Sequence, residues 1–177
     1  PLVGDVPRRF FRKGRDMMTS YWREELDRRG KFTQPQQLLA DKGKDYREYL
    51  SPVVAGKDSV LYLRYSYDSP SALVLLRGGE EKFMRSFASN VRKMRGHGDK
   101  VYFVEQVHNP RWSNEVYGNL YSYNWKSREM RKLYGGKFLG AIQLDEKGER
   151  IAAVEYNPNG GTSMVLMDAD TGEVIQS

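Results

Sequence analysis

His97 and His108 are the only histidines in this chain of 177 residues, and they are the first side chains to consider for metal or acid–base chemistry. A zinc peptidase carries the pattern His-Glu-x-x-His on a helix, so that both imidazoles reach one metal ion. Neither histidine stands in that pattern, because His97 lies between two glycines and His108 precedes Asn109-Pro110. The sequence therefore predicts no metal site, and we interpret both histidines as surface residues of loops.

The chain also lacks the residues that usually carry out nucleophilic catalysis. Cysteine is absent, which excludes disulfide bonds, thiolate metal sites and cysteine nucleophiles. No Gly-x-Ser-x-Gly turn occurs, and no Ser/His/Asp set can be assembled. The pairs Gly135-Gly136 and Gly160-Gly161 fall between expected strands, where tight turns account for them without phosphate binding. We expect a chain that is not an enzyme by itself, with no catalytic residue and no cofactor.

One loop carries residue types that favour binding. The segment NPRWSNEVYGN, residues 109–119, inserts aromatic and charged side chains between two expected strands. Arg111, Trp112 and Tyr117 belong to the types enriched in binding hot spots, and long loops often carry recognition. These three are the candidate contact residues. The alternative is a loop that packs on its neighbour.

Residues 14–29 precede this region with the spacing of an amphipathic helix. Its apolar face is formed by Met17, Met18, Tyr21, Trp22 and Leu26. Gly30 follows where a left-handed C-cap is expected. Residues 31–50 read as an extended piece and a polar loop, so residues 1–50 form a helical lead-in and linker.

The character of the sequence changes after Ser51 to short β-branched and aromatic runs separated by Gly, Asp, Asn and Pro. This alternation is typical of an antiparallel all-β fold. The predicted strands include a short first run at 51–54 and the runs 59–67, 72–77, 100–107, 119–126, 138–144, 150–157 and 163–169.

These runs repeat. Val60, Val101 and Ile151 fall in one register with offsets of 41 and 50 residues. The same register aligns Leu63 with Val104 and Val154, Arg64 with Glu105 and Glu155, and the glycines Gly56, Gly98 and Gly148. Four antiparallel strands in each such unit are typical of a β-propeller blade. We predict three four-stranded blades, at about 51–87, 88–135 and 136–177, and keep a meandering sandwich as the alternative.

Two segments resemble a known family. DYREYLSPVVAGKDSVLYL (45–63) and DADTGEV (168–174) resemble the repeats of TolB-like propellers and of the propeller domains attached to prolyl oligopeptidases. The helix with Tyr21-Trp22 is similar to the segment that joins a zincin-type peptidase domain to such a propeller in some exported bacterial proteins. The resemblance covers residues 45–177 and implies a periplasmic or other extracytoplasmic location.

Charge and hydropathy limit the classes of partner that the chain is expected to bind. The net charge of +6 and pI near 9.4 raise the question of nucleic acid, but most basic clusters are short or interleaved with acidic residues. A basic nucleic-acid-binding domain therefore stays the third interpretation. No apolar run reaches the roughly 18 residues that a membrane-spanning helix needs.

Three blades leave a ring open, since closed propellers have about four to eight. The helix could cap one end, a second chain could complete a six-bladed ring as a homodimer, or further blades could lie outside this chain. The leading functional hypothesis is a non-catalytic scaffold that binds a protein or peptide within a larger exported protein. The alternative is an accessory domain that gates substrate access to a peptidase whose catalytic domain is elsewhere.

Overall fold

The computed structural model describes residues 5–30, 37–39, 46–89, 91, 93–112, 115–157 and 160–177, with the backbone alone for 5–11. The chain divides into two compact units, residues 1–40 and residues 41–177.

The first unit contains helix α1, Asp5–Arg29. The helix begins nine residues before the predicted start at residue 14, because the apolar periodicity that marks it begins only at Met17. Pro7 is compatible with this start, since the first turn of a helix needs no N–H from that position. Gly30 ends the helix with φ of +89°, as the C-cap prediction requires.

The apolar face of α1 is exposed. Its five predicted members, Met17, Met18, Tyr21, Trp22 and Leu26, are between 46 % and 70 % exposed. The role of this helix as a cap stays a prediction. Among the described residues, no helix is both long and apolar enough to cross a membrane.

The second unit is built of antiparallel strands. Its described part contains β1 Arg47–Gly56, β2 Ser59–Ser66, β3 Ala72–Arg77, β4 Glu80–Ser86, β5 Met94–His97, β6 Lys100–His108, β7 Val116–Asn124, β8 Met130–Leu144, β9 Arg150–Tyr156, β10 Thr162–Asp168 and β11 Val174–Gln176. Each predicted strand run corresponds to one of them or to part of one. The antiparallel all-β prediction is confirmed for this unit.

The strands form one sheet of four, β1 to β4, and one sheet of seven, β5 to β11, each in chain order. Three separate four-stranded sheets were expected. The difference lies in β8, which pairs with β7 through residues 130–137 and with β9 through residues 138–144. The predicted blade boundary at residue 135 therefore falls inside a continuous strand. The prediction of a tight turn at Gly135-Gly136 is wrong.

The glycine pair bends β8 instead of ending it. Gly118 and Leu120 of β7 lie opposite Lys137 and Tyr134, so β8 holds one residue more than β7 across this interval. An extra residue of this kind is a β-bulge, which bends a strand and leaves it continuous. Gly136 has φ of +83°, which favours glycine, and a Cβ at Gly135 would collide with the Asn119 side chain.

Two apolar cores lie between successive groups of strands. The first core joins the four-stranded sheet to the start of the larger sheet, through Leu61, Leu63, Leu73, Leu75, Met94, Val101, Phe103 and others. The second core lies farther along the larger sheet, with Tyr102, Leu120, Leu139, Ile142, Ile151, Val165 and Met167 among its members. Both contain strand residues of the aligned repeat, which explains why the apolar positions recur.

The first strands of these groups lie side by side. Val53 of β1 packs against Gly96 of β5, where a Cβ would collide with the valine. Arg95 of β5 donates through Nε to Oε1 of Gln143 in the second half of β8, at 2.7 Å. Strands β4 and β11 lie at the opposite edges of their sheets. The groups therefore meet along their first strands and spread outward from them.

Candidate functional site

The loop of the predicted contact residues lies between β6 and β7, as expected. Asn109 shapes its start, since its side-chain oxygen accepts from the backbone N–H of Arg111 at 2.9 Å and of Trp112 at 3.3 Å. The Arg111 guanidinium lies 5.9 Å from the centre of the Trp112 ring, and Trp112 is 62 % exposed. The two side chains thus form one exposed cation–π pair. Residues 113 and 114 lie outside the described part of the loop.

Tyr117, the third predicted residue, is not part of that cation–π pair. Its hydroxyl donates to Oε2 of Glu115 at 2.9 Å, and Nδ2 of Asn109 donates to the same oxygen at 2.6 Å. Tyr117 and Glu115 both line a cleft, whereas Arg111 and Trp112 do not. Contact between a partner and these three predicted residues stays a prediction.

This opening, which we call the junction cleft, has a volume of about 660 Å³. Three short segments line it: residues 115–117 at the start of β7, 136–138 in the middle of β8, and 155–157 at the end of β9. It exists because β8 leaves β7 after Lys137 and joins β9 from Phe138, so the ends of β7 and β9 separate. Its volume falls within the usual range for ligand sites.

An aromatic pair forms one wall of the junction cleft. The rings of Phe138 and Tyr156 lie edge to face, with centroids 5.2 Å apart and planes at 62°. Gly140 makes room for the tyrosine ring, because a Cβ there would collide with it. Tyr156 remains 43 % exposed, so its ring can contact a ligand.

A buried carboxylate lies beside the aromatic pair. The Glu155 side chain is only 4 % exposed, and its Oε1 is 2.7 Å from Nζ of Lys137, whose side chain is 54 % exposed. The Tyr134 hydroxyl donates to the other oxygen of Glu155 at 3.2 Å. The hydrogen bond to Glu155, followed by the negative charges of its surroundings, raises the pKa of Lys137 above its ordinary value. The lysine is therefore charged at neutral pH.

Glu155 occupies the charged position of the aligned repeat. Its counterpart Glu105 is also buried, and its Oε1 accepts from the Ala88 N–H at 3.2 Å. Arg64, the counterpart in the first sheet, pairs with Glu81 at 3.0 Å. The repeated position therefore carries a charged group that is buried in Glu105 and Glu155 and half-buried in Arg64, and each of the three has a polar partner.

Lys137, Phe138 and Tyr156 are site residues that were not predicted from the sequence. Two signals point toward them: Phe138 follows closely on the glycine pair of β8, and Tyr156 follows Glu155 in the repeat. Neither signal shows that the three side chains meet, because that depends on β8 changing its partner strand.

Neither histidine lines the junction cleft. Both are exposed as predicted, but each ends a strand instead of lying in a loop: His97 ends β5 and packs beside Gly148, and His108 ends β6 opposite Val116. Within the ranges that the structure describes, no group of three or more His, Asp or Glu side chains could hold a metal ion.

No protein-family model matches the sequence, and no curated protein matches it. Solved structures do match. The β-propeller domain of the trilobed protease from Pyrococcus furiosus, described as having an open velcro topology, superposes with a TM-score of 0.55 at 16 % identity, covering 74 % of this chain and 42 % of that one. The second unit has the fold of a β-propeller segment.

Two peptidases give similar results for this propeller segment. The acylaminoacyl peptidase of Pyrococcus horikoshii matches with a TM-score of 0.54 at 19 % identity, over 74 % of this chain and 25 % of that one. The puromycin-hydrolysing peptidase of Mycobacterium tuberculosis matches with a TM-score of 0.54 at 14 % identity, over 72 % of this chain and 20 % of that one. The chain spans less than half the length of each of these structures, and at such identities the likeness concerns the fold.

Proposed function

We propose that the chain is a non-catalytic β-propeller segment that binds a protein or peptide partner in the junction cleft. In this proposal the segment has three blades: β1 to β4, β5 to the first half of β8, and the second half of β8 to β11. The shared strand and the side-by-side first strands support this division. The aligned repeat supports it independently, since it comes from the sequence.

The junction cleft is the observation that carries the binding proposal. It combines the half-buried Phe138 and the exposed Tyr156 with groups of both charges, Glu115 and Lys137, in one concave space. Sites that bind peptides commonly pair an aromatic anchor surface with a few oriented polar groups. A volume of about 660 Å³ is larger than any single side chain, so it has room for several residues of a protein or peptide.

A selection experiment tests the proposal. Short random peptides displayed on phage are selected on the immobilised full chain, and the affinities of the recovered peptides are then measured by fluorescence polarisation. We expect Tyr156→Ala to weaken their binding about tenfold, because an aromatic hot-spot residue is removed. Tyr67→Ala is the matched control, since Tyr67 is also an exposed tyrosine, at 90 %.

Peptides that bind Tyr156→Ala as tightly as the unaltered chain would place recognition outside the junction cleft. Failure to recover any specific peptide would count against peptide binding itself.

A second candidate function is an accessory domain that gates access to a peptidase located elsewhere in the parent protein. The matched structures support it, because those named above are peptidases or part of a protease. A His-Glu-x-x-His or Gly-x-Ser-x-Gly pattern in the full parent sequence would favour it. Peptidase activity that is unchanged when this segment is deleted from such a parent would contradict it.

From the sequence resemblance we also propose that the repeats are TolB-like and that the parent is a bacterial protein of the periplasm or another compartment outside the cytoplasm. The nucleic-acid alternative predicts that binding to duplex DNA weakens steeply as salt is raised. Absence of DNA binding at low salt would eliminate that alternative.

A further inference from the structure

The charged groups that line the junction cleft do not cancel one another. Its described lining contains the ammonium group of Lys137 and the carboxylates of Glu115 and Glu155. Lys137 and Glu155 form an ion pair, with Nζ 2.7 Å from Oε1. One ammonium group against two carboxylates leaves one negative charge in excess, and that charge is at Glu115.

The Glu115 carboxylate is held in place by neutral donors. Its Oε2 accepts from the Tyr117 hydroxyl at 2.9 Å and from Nδ2 of Asn109 at 2.6 Å. A phenol and an amide orient the carboxylate without neutralising it. Because the residue is exposed and an ionised carboxylate offers about four lone-pair sites, Glu115 can accept further hydrogen bonds from a ligand.

The ion pair of Lys137 and Glu155 makes the cleft better suited to a cationic ligand than to an anionic one. The Glu155 side chain is 4 % exposed, so its carboxylate depends on the lysine for a counter-charge. An anionic ligand would compete with Glu155 for the same ammonium group. A cationic ligand leaves the ion pair intact and neutralises Glu115.

The aromatic wall of the cleft also suits a cation. Tyr156 is 43 % exposed, and Phe138 packs edge to face against it with a centroid distance of 5.2 Å. A guanidinium or ammonium group is attracted to the face of such a ring when it lies within about 6 Å of the ring centre. Arginine suits this combination better than lysine, because its planar guanidinium stacks on aromatic rings and can donate two parallel hydrogen bonds to one carboxylate.

We propose that the junction cleft recognises an arginine side chain of its protein or peptide partner. The apolar stem of that side chain lies against Phe138 and Tyr156, and its guanidinium donates to Glu115. The cleft volume of about 660 Å³ accommodates this side chain together with neighbouring residues of the partner. This inference rests on the proposed peptide-binding function and names the side chain that the cleft selects.

Two probes that differ in charge and hardly in shape test the inference. The blocked peptide acetyl-Ser-Ala-Arg-Ala-Ser-amide is titrated into the ¹⁵N-labelled full chain, and the matched probe carries citrulline, the uncharged analogue of arginine. We expect the amide signals of Glu115, Lys137 and Tyr156 to move at millimolar arginine probe. The citrulline probe should bind about tenfold more weakly, because the cation–π contact and the charged hydrogen bonds are lost.

A substitution at Glu115 tests the predicted anion. Glu115→Gln should weaken binding of the arginine probe about tenfold and leave binding of the citrulline probe unchanged. Glutamine keeps an acceptor oxygen for Tyr117 and Asn109, so the contacts within the loop remain. Glu173→Gln is the matched control and should change neither affinity, since Glu173 is exposed and does not line the cleft.

Equal affinity of the two probes, no movement of the cleft signals, or a preference for arginine that Glu115→Gln leaves intact would each overturn the inference. Tighter binding of acetyl-Ser-Ala-Glu-Ala-Ser-amide would also overturn it and assign recognition to Lys137. A citrulline probe with a free amino terminus that binds as tightly as the blocked arginine probe would assign the cation to a chain end instead. In each of these cases the proposed function still stands if peptides from the phage selection bind and Tyr156→Ala weakens their binding.

Discussion

In the ion pair of Glu155 and Lys137 the carboxylate is buried and the lysine is exposed. Replacing one partner should therefore affect stability differently from replacing the other. The carboxylate is 4 % exposed and the ammonium-bearing chain 54 %. Removing the cation leaves a buried charge without its partner, which is the more costly loss. Removing the carboxylate leaves a lysine that water can solvate.

We therefore expect Lys137→Met to lower the free energy of unfolding more than Glu155→Gln, which should cost about 1 kcal/mol. Because the pKa of Lys137 is raised, the contribution of its charged form is fully present at neutral pH and is lost only as the pH rises through that raised value. Urea unfolding at neutral pH measures both variants. Lys137→Arg is the control that should restore stability, and the reverse order of the two losses would contradict the argument.

Two glycines with similar φ angles allow the cost of a strained backbone to be measured separately from the cost of a steric collision. Gly160 and Gly172 have φ of +82° and +77°. An added Cβ at Gly160 meets no described atom within 4 Å, whereas at Gly172 it would collide with the backbone of Leu133 in β8. Only the second substitution forces a strand to move.

We expect Gly160→Ala to cost about 1 kcal/mol, from the left-handed backbone alone. Gly172→Ala should cost about 3 kcal/mol, because the collision adds to the same backbone penalty. The midpoints of urea unfolding give the comparison. Equal losses would show that the DADTGE turn can shift away from β8.

At the scale of the elements, the turns are organised by Asn and Asp residues at strand ends. Asp168, at the end of β10, accepts through Oδ1 from the backbone N–H groups of Thr171 at 2.7 Å and Asp170 at 2.9 Å. Asp145 does the same after β8, toward Glu149 and Arg150. Such side chains mimic a backbone turn and fix its direction.

The hydrogen bonds from Thr171, first from its N–H and then from its hydroxyl, hold the pKa of Asp168 below its ordinary value of 3.8. A lowered pKa means that the carboxylate stabilises the fold above that ordinary value and that this contribution is lost as the pH falls through the lowered one. We expect Asp168→Asn to be less stable than the unaltered chain at neutral pH, with the difference shrinking as the pH falls below 3.8. Thermal unfolding across this range is the measurement.

Glu173→Gln is the control for that prediction, since Glu173 is an exposed carboxylate of the same turn. A difference between Asp168→Asn and the unaltered chain that stays constant with pH would show that the charge of Asp168 is not what stabilises the turn.

Local chemistry made the strands predictable and left the junction cleft unpredicted. The run 72–77 is a short, continuous apolar stretch followed by the glycine turn at Gly78-Gly79, and a pattern of this kind depends on only a few neighbouring residues. Gly135-Gly136 reads as a turn by the same local rule. Its role as a bulge depends on β7 and β9 lying on opposite sides of β8, which are tertiary pairings that no short segment specifies.

For the molecule as a whole, the outer faces of the two end groups of strands differ. On β3, Leu73 and Leu75 belong to the first core, while Ala72, Val74 and Leu76 on the other side are also buried. On β10, at the other end, Met164 is 70 % exposed. A six-bladed ring of two copies would bring these two unlike faces together.

Because the face on β3 is already buried, we expect the chain to sediment as a monomer of 20.5 kDa rather than as the proposed homodimer. Sedimentation equilibrium over a range of concentrations is the measurement. A species of twice that mass would restore the two-chain ring, and Met164→Lys should then dissociate it. A dimer indifferent to that substitution would have to use another surface.

The continuity of β8 has a consequence for how the segment opens in solution. A strand that is hydrogen-bonded to β7 through one half and to β9 through the other couples the two groups of strands mechanically, since neither can detach without disturbing the shared backbone. Amide hydrogens along 130–144 should then exchange with solvent in one cooperative step instead of two. A peptide bound where β8 changes partner would slow amide exchange in both halves of β8. Binding in the junction cleft would thus stabilise the strands of the larger sheet on either side of that point.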